Sequence, residues 1–135
     1  MNTRIERPIV ALALDDDGEI AGRITVDFVY DRSDPWAVSL RFPADEDGPI
    51  VWCVARCLLS EGLNQVMGDG DFRVTPADGM VRLQLSSPYG AAACAVDIDE
   101  MEEFVIESFA LVPEGSERRH VDLDALVDAL LGGVR

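Results

Sequence analysis

The chain has 135 residues, a formal net charge of −15 and a hydrophobic fraction of 48%, and all of its basic residues are arginine. A chain of this length most commonly forms one domain, here predicted to span residues 1–135, with a core of its own. A charge of −15 repels phosphate backbones and anionic bilayers, which disfavours nucleic-acid and membrane-surface binding.

The N-terminal residues and the cysteine count favour a cytoplasmic protein. Residues 1–10 contain arginines and a proline where a signal peptide requires an unbroken apolar run. No window approaches ~18 consecutive apolar residues, so no membrane-spanning helix is expected. The odd number of cysteines, three, is not a disulfide framework and favours a reducing compartment.

The first half of the chain is predicted to form four strands and a helix. Apolar and polar residues alternate from Ile24 to Phe28, which is typical of a half-buried strand. The Asp17-Gly18 pair after an apolar run is a hairpin signal. Gly62 fits a helix C-cap. The predicted strands are residues 4–14, 20–30, 36–42 and 50–54, and the helix covers residues 55–63.

The second half begins with strands again. Residues 72–74 begin a strand, residues 75–80 are predicted to be a turn, and two further strands are predicted at residues 81–86 and 91–98. Runs of antiparallel strands separated by single helices are typical of α+β folds. The order four strands, helix, three strands, helix, helix therefore predicts an α+β fold with antiparallel sheets.

Two helices are predicted to close the chain. Asp99, with Glu102 three residues later, resembles a capping box, and this predicts a helix to about Ser108. Residues 122–131 have leucine and valine at amphipathic spacing, with Asp122 as the predicted N-cap. This last helix is expected to close the core through its apolar stripe, or to dock on a partner through the same stripe.

The stretch Gly68-Asp69-Gly70-Asp71 suggests a metal loop, a phosphate loop or a turn. An EF-hand needs about six spaced oxygen ligands ending in a glutamate, and no such glutamate follows. A phosphate loop has its glycines between a strand and a following helix, and the order here is reversed. The sequence therefore predicts a turn in which both glycines take positive φ. The acidic run Asp15–Gly18 is likewise interpreted as a solvated hairpin turn.

No catalytic or metal-binding pattern emerges. Cys53 and Cys57 lack the second pair that zinc sites commonly have, and together with Cys94 they are predicted to be buried and inert. The single histidine, His120, could act as a general base oriented by Asp122 or Asp124, but its position before a helix is more typical of a surface residue. The chain is therefore predicted to be no enzyme and to need no metal or cofactor.

Five stretches between residues 30 and 117 are informative together. They are YDRSDPWAVSLRF, VWCVARCLLSEGL, GDGDFRVTP, VRLQLSSPYG and VPEGSE. In order and spacing they resemble the SsgA-like proteins of sporulating actinobacteria, with an SsgB-like member as the expected branch and residues 1–135 as a single SsgA-like domain. The chain departs from the SsgB pattern at Trp36, Cys57 and residues 64–67.

The resemblance implies a non-catalytic, cytoplasmic regulator of sporulation-specific cell division that acts at the division septum. It implies contact with the tubulin-like protein FtsZ or with other division and SsgA-like proteins, a homotrimer, and two βββ(β)α units like those of the whirly single-stranded nucleic-acid-binding proteins. Nucleic-acid binding is the alternative that this fold suggests. The candidate partner-binding residues are Asp34, Trp36, Arg56, Asp69, Asp71 and Tyr89.

Overall fold

The computed structural model describes residues 3–43, 48–88 and 90–120, so Tyr89 and the predicted last helix at residues 122–131 lie outside the described residues. The strands are β1 (Arg4–Leu14), β2 (Ile20–Asp31), β3 (Ala37–Phe42), β4 (Ile50–Ala55), β5 (Phe72–Ala77), β6 (Met80–Ser87) and β7 (Gly90–Asp97). The helices are α1 (Arg56–Glu61), α2 (Ile98–Leu111) and a 3₁₀ helix (Glu117–His120).

The strands form one antiparallel sheet in the order β4-β3-β2-β1-β7-β6-β5. The two halves of the chain meet where β1 pairs with β7, from Ala11 opposite Val96 to Leu14 opposite Ala93. The predicted α+β class, the antiparallel pairing and the order of the first nine elements are confirmed. The likeness to whirly proteins stays a prediction.

The core lies on the face of the sheet that α2 covers. Alternate residues of β2 point into it, with Val26, Phe28 and Tyr30 fully buried, as the period-two pattern predicts. Phe104 of α2 packs edge-on against Phe28, with the ring centroids 5.5 Å apart. Arg7 of β1 forms ion pairs with Glu103 and Glu107 on α2 at the surface of this layer.

The N-cap of α2 is Asp97, and the prediction of a capping-box start at Asp99 is wrong. One carboxylate oxygen of Asp97 accepts hydrogen bonds from the backbone N–H groups of Asp99 at 2.9 Å and Glu100 at 3.1 Å. Those are two of the donors that a helix start leaves unpaired. The helix therefore begins two residues earlier than predicted and runs three residues beyond Ser108.

The region between α1 and β5 is a set of tight turns, as the sequence predicts. Gly68 and Gly70 have φ of 91° and 78°, which only glycine adopts without strain. Gly62 caps α1 with a negative φ of −66°. Its requirement for glycine comes from space, since an added Cβ would lie 2.4 Å from Val74 Cγ1 and 2.6 Å from the Leu58 carbonyl oxygen.

Strand β5 extends through residues 75–77, which the sequence analysis assigned to a turn. Only Asp78 and Gly79 have positive φ there, 53° and 77°. Pro76 is tolerated because β5 is the last strand in the sheet order, and an edge strand has backbone positions that donate no ladder hydrogen bond.

We expect Gly62→Ala to destabilise the fold by about 1–3 kcal/mol, since the new methyl group overlaps Val74 and a helix carbonyl group. The control is Gly22→Ala, where an added Cβ meets nothing within 4 Å. That change is expected to be neutral or slightly stabilising. Urea unfolding at a fixed protein concentration measures both, and equal midpoints for the two variants would contradict the close contact at Gly62.

Candidate partner-binding site

The five candidate residues that the structure describes do not form one site, and Tyr89 lies outside the described residues. Asp34, Trp36 and Arg56 lie at the end of the sheet where β2 leads into β3 and β4 leads into α1. Asp69 and Asp71 lie at the opposite end, just before β5. We call the first region the Trp36 end and the second the turn end.

Arg56 is the centre of the Trp36 end and is only 3% exposed. Its guanidinium lies 4.9 Å from the ring centroid of Tyr30 and 4.3 Å from that of Phe109. Aromatic faces attract cations through their quadrupole, most strongly where water is excluded. The charge is therefore held between two rings inside the core.

The same guanidinium closes the end of α2. Its Nη1 donates to the carbonyl oxygens of Ser108 at 3.0 Å and Val112 at 2.8 Å. Carbonyl groups at a helix C-terminus lack intrahelical partners and carry partial negative charge, so a cation stabilises them. Glu117, in the 3₁₀ helix that follows, lies 3.9 Å from Arg56 Nη2 and supplies a nearby counter-charge.

These contacts place Arg56 inside the fold, where its side chain has almost no exposed surface and its donors are directed at internal carbonyl groups. Its direct contact with a partner stays a prediction. The sequence gives no local signal for this burial, because the groups that satisfy Arg56 follow it by more than fifty residues. Within the fold, Arg56 positions the neighbouring loop.

That loop, residues 32–36, is held at both ends by hydrogen bonds. Asp31 accepts from the backbone N–H of Ser33 at 2.9 Å and from its hydroxyl at 2.8 Å, which lowers the pKa of the carboxyl group. The Tyr30 hydroxyl donates to the Pro35 carbonyl oxygen at 2.8 Å. The backbone N–H of Arg56 donates to the Trp36 carbonyl oxygen at 2.7 Å.

The outcome is a rigid loop with an aromatic side chain on its surface. Trp36 is 48% exposed, and the Asp34 side chain is exposed beside it. Pro35, between them, is buried and fixes the direction of the backbone. We call residues 32–36 the Trp36 loop. Their arrangement presents an apolar ring and a carboxylate together, without a flexible segment to order.

The turn end combines exposed acids with an apolar cavity. Asp69 and Asp71 are exposed, and the Asp71 carbonyl oxygen accepts from the Ser86 backbone N–H at 2.8 Å. A cavity of about 370 Å³ opens nearby, between the β3–β4 and β6–β7 pairs. It is lined by Phe42, Ile50, Trp52, Leu85, Ser87, Gly90, Ala91 and Ala92.

The cysteines differ from the sequence prediction. Cys53 and Cys57 are exposed, and only Cys94 is buried. Burial raises the pKa of the Cys94 thiol to about 11. Within the described ranges no group of three or more His, Cys, Asp and Glu side chains is placed to hold a metal ion. Nor does any helix in the same ranges have the length and apolar character needed to cross a membrane.

Comparison with known proteins identifies a close set of relatives. Residues 24–117 match the family model described as "Streptomyces sporulation and cell division protein, SsgA". The chain is 40% identical to the sporulation-specific cell division protein SsgB of Streptomyces coelicolor over 106 residues, 76% of this chain and 77% of the relative. The expected resemblance to SsgA-like proteins, and to SsgB in particular, is confirmed.

Two solved structures share the fold. One, described with mutations in SsgB that correlate to longitudinal cell division during sporulation of Streptomyces coelicolor, has a TM-score of 0.81 and 32% identity, covering 89% of this chain and 97% of the other. An SsgA-like sporulation-specific cell division protein of Thermobifida fusca also has a TM-score of 0.81, at 30% identity and 96% coverage of each chain.

We expect Arg56→Ala to lower the free energy of unfolding by on the order of 3 kcal/mol, because it removes two charge-assisted hydrogen bonds at the end of α2. The matched control is Arg73→Ala. Arg73 is exposed on β5, so its loss should cost less than about 0.5 kcal/mol. Urea unfolding distinguishes the two, and similar losses would show that the internal contacts of Arg56 contribute little.

The raised pKa of Tyr30 predicts that the protein loses stability at alkaline pH. Burial raises the pKa of Tyr30 from 10.0 to about 12, against the lowering effect of the Arg56 charge. The unfolded chain therefore loses this proton first, and the stabilisation present below pH 10 is lost as the pH rises towards 12. The Tyr30→Phe variant lacks this ionisation. We expect the difference in unfolding free energy between wild type and variant to shrink from pH 9 to pH 11, and a constant difference would contradict the raised pKa.

Proposed function

The chain is a member of the SsgA family of sporulation and cell-division proteins, and on this basis we propose that it is a non-enzymatic regulator of sporulation-specific cell division. It helps to recruit or position FtsZ at septum sites through protein–protein contacts. The observation that carries the proposal is the 40% identity to a sporulation-specific cell division protein over three quarters of both chains.

The Trp36 loop is the contact surface that best fits this role. Tryptophan is enriched among the few interface residues that carry most of the binding energy. A preorganised loop also avoids the entropy cost of ordering side chains and backbone on binding. Trp36 meets both conditions, since it is exposed while its backbone is held by Arg56 and its neighbour Pro35 is held by Tyr30.

Charge shapes how such a contact forms. A chain of net charge −15 gains nothing from long-range attraction to an acidic partner, so affinity has to come from local apolar contact. The indole of Trp36 supplies apolar area, and the adjacent Asp34 favours a basic side chain at the rim of the partner surface. The acids at the turn end, Asp69 and Asp71, form a second surface of the same sign.

A homotrimer strengthens this scheme. Three copies of a weak site on one particle bind a filament of repeating subunits far more tightly than one copy does, provided that the sites match its spacing. The Trp36 loop then needs only modest affinity. The protein acts as an adaptor at the septum, with no chemical step assigned to His120 or to the exposed cysteines.

The test is co-sedimentation of the purified chain with FtsZ polymers of the same organism, with and without GTP. We expect pelleting that depends on GTP, and Trp36→Ala should weaken it by roughly tenfold or more, as the loss of an interface tryptophan commonly does. The control is Ile106→Ala, which removes a similarly exposed apolar side chain from α2.

Each outcome has a definite meaning. Absence of pelleting by the wild type rejects direct contact with FtsZ. Pelleting that Trp36→Ala leaves unchanged keeps the FtsZ contact but removes the Trp36 loop from it. Equal losses in the Trp36 and Ile106 variants would indicate a general effect of surface apolarity.

A further inference from the structure

The edge strand β4 differs from the rest of the surface. It is the first strand in the sheet order, so only β3 pairs with it among the described residues. Its sequence, IVWCVA, contains no charged residue and no proline, although the chain as a whole is strongly acidic. Ile50 is 56% exposed and Val51 is 49% exposed. Natural sheets normally protect such edges with charges, prolines or bulges.

The register between β3 and β4 shows which backbone groups of β4 are free to bond to an added strand. The Arg56 N–H bonds to the Trp36 carbonyl oxygen, and the register continues from Ala37 opposite Ala55 towards Phe42 opposite Ile50. In an antiparallel pair, hydrogen-bonded positions alternate. The even-numbered residues of β4 therefore bond to β3. The N–H and C=O groups that point to the open side belong to Val51, Cys53 and Ala55.

The other edge of the sheet is protected. Strand β5 carries Arg73 and Pro76, which disfavour strand addition. Its outer side is also occupied in part, since Met67 and Val74 exchange two backbone hydrogen bonds of 2.9 Å and 2.8 Å. The two edges are thus unequal, and a head-to-tail assembly that joins β4 of one copy to β5 of another is disfavoured at β5.

We propose that the open edge of β4 is a docking site for an extended segment of a partner protein, which adds an antiparallel or parallel strand to the sheet. The segment is apolar in its centre and carries basic residues at its flanks. This inference goes beyond the FtsZ contact and does not depend on the Trp36 loop. The main-chain groups at residues 51, 53 and 55 supply affinity, as in other cases of strand addition.

The net charge of the chain favours a segment with basic flanks over a second copy of the chain at the β4 edge. Antiparallel pairing of β4 with β4 of another copy would join two copies about a twofold axis, which does not build the proposed homotrimer, and it would bring two molecules of charge −15 edge to edge. A segment with basic flanks gains from the same field. The uncharged strand itself places no unpaired charge in the interface, so desolvation of the edge costs little.

Side-chain positions on β4 add specificity. Ile50 and Trp52 line the apolar cavity of about 370 Å³ at the turn end, so a docked strand that passes Ile50 places alternate side chains beside an open apolar space. The opposite face offers small residues, Cys53 and Ala55, which leave room for bulky side chains of the partner. Both faces therefore accept an apolar segment.

The first test is amide hydrogen exchange measured by NMR, with a defined probe. The probe is a synthetic peptide of alternating valine and threonine with two lysines at each end. In the free protein we expect fast exchange at Val51, Cys53 and Ala55 and slow exchange at Trp52 and Val54. Saturating peptide should slow the first three amides by about tenfold or more and change the other two little.

The second test uses paired variants and peptides. Val51→Lys introduces a charge at the edge and should weaken binding of the lysine-flanked peptide by roughly tenfold. Val10→Lys is the matched control, because Val10 is 53% exposed on the central strand β1 and should leave binding unchanged. A glutamate-flanked peptide should bind more weakly than the lysine-flanked one to the wild type. If Val51→Lys fails to fold, Cys53→Pro removes one outward donor without touching the β3 ladder.

Three results would overturn the proposal. Slow exchange at residues 51, 53 and 55 that depends on protein concentration would show a second copy on the edge. Slow exchange independent of concentration would show that another part of the same chain covers it. No protection by the peptide, or equal binding of both peptides and both lysine variants, would show that the edge takes no basic-flanked strand.

Discussion

The position of one guanidinium determines how the two halves of this chain fit together. Arg56 follows β4 directly in the chain. Its side chain donates hydrogen bonds to carbonyl groups at the C-terminal end of α2 and lies against the ring of Tyr30 in β2. A buried cation is costly unless it is paired and hydrogen-bonded, so the burial of Arg56 depends on the rings, carbonyl groups and carboxylate that surround it. This requirement ties the end of α2, the 3₁₀ helix and the Trp36 loop to a single arrangement.

The Trp36 loop and the β4 edge both depend on these buried contacts of Arg56. In the proposed contact, Trp36 is presented on a loop that Arg56 and Tyr30 hold. The β4 edge is continuous with the same structure, since the Arg56–Trp36 bond extends the β3–β4 ladder. A partner at either surface therefore meets backbone that is already ordered. Binding at these surfaces therefore costs little conformational entropy of the protein itself, and more of the contact energy contributes to affinity.

The sequence predicted the strands and helices better than it predicted the environment of individual side chains. Period-two alternation located the strands, and the Gly68–Asp71 turn followed from the glycine positions alone. The failures have physical causes: Asp97 and Asp99 are both good caps, and only tertiary packing decides between them. The fate of Arg56 depends on rings and carbonyl groups distant in sequence. The exposure of Cys53 was readable in principle, since it alternates in phase with Val51 on the outer face of its strand.

The pairing of β1 with β7 has a consequence for synthesis of the chain. In the folded protein β1 is a central strand. Its second side is covered only after β7 has been synthesised, when Ala11 pairs with Val96. Residues 11 and 96 are about 85 positions apart, so at typical translation rates that interval is roughly 4–17 s. Throughout it, β1 is a temporary edge of the N-terminal strands, and its backbone at residues 11–14 lacks the pairing with β7. Nascent chains on one messenger are thus most exposed to mutual strand pairing before the final third emerges from the ribosome.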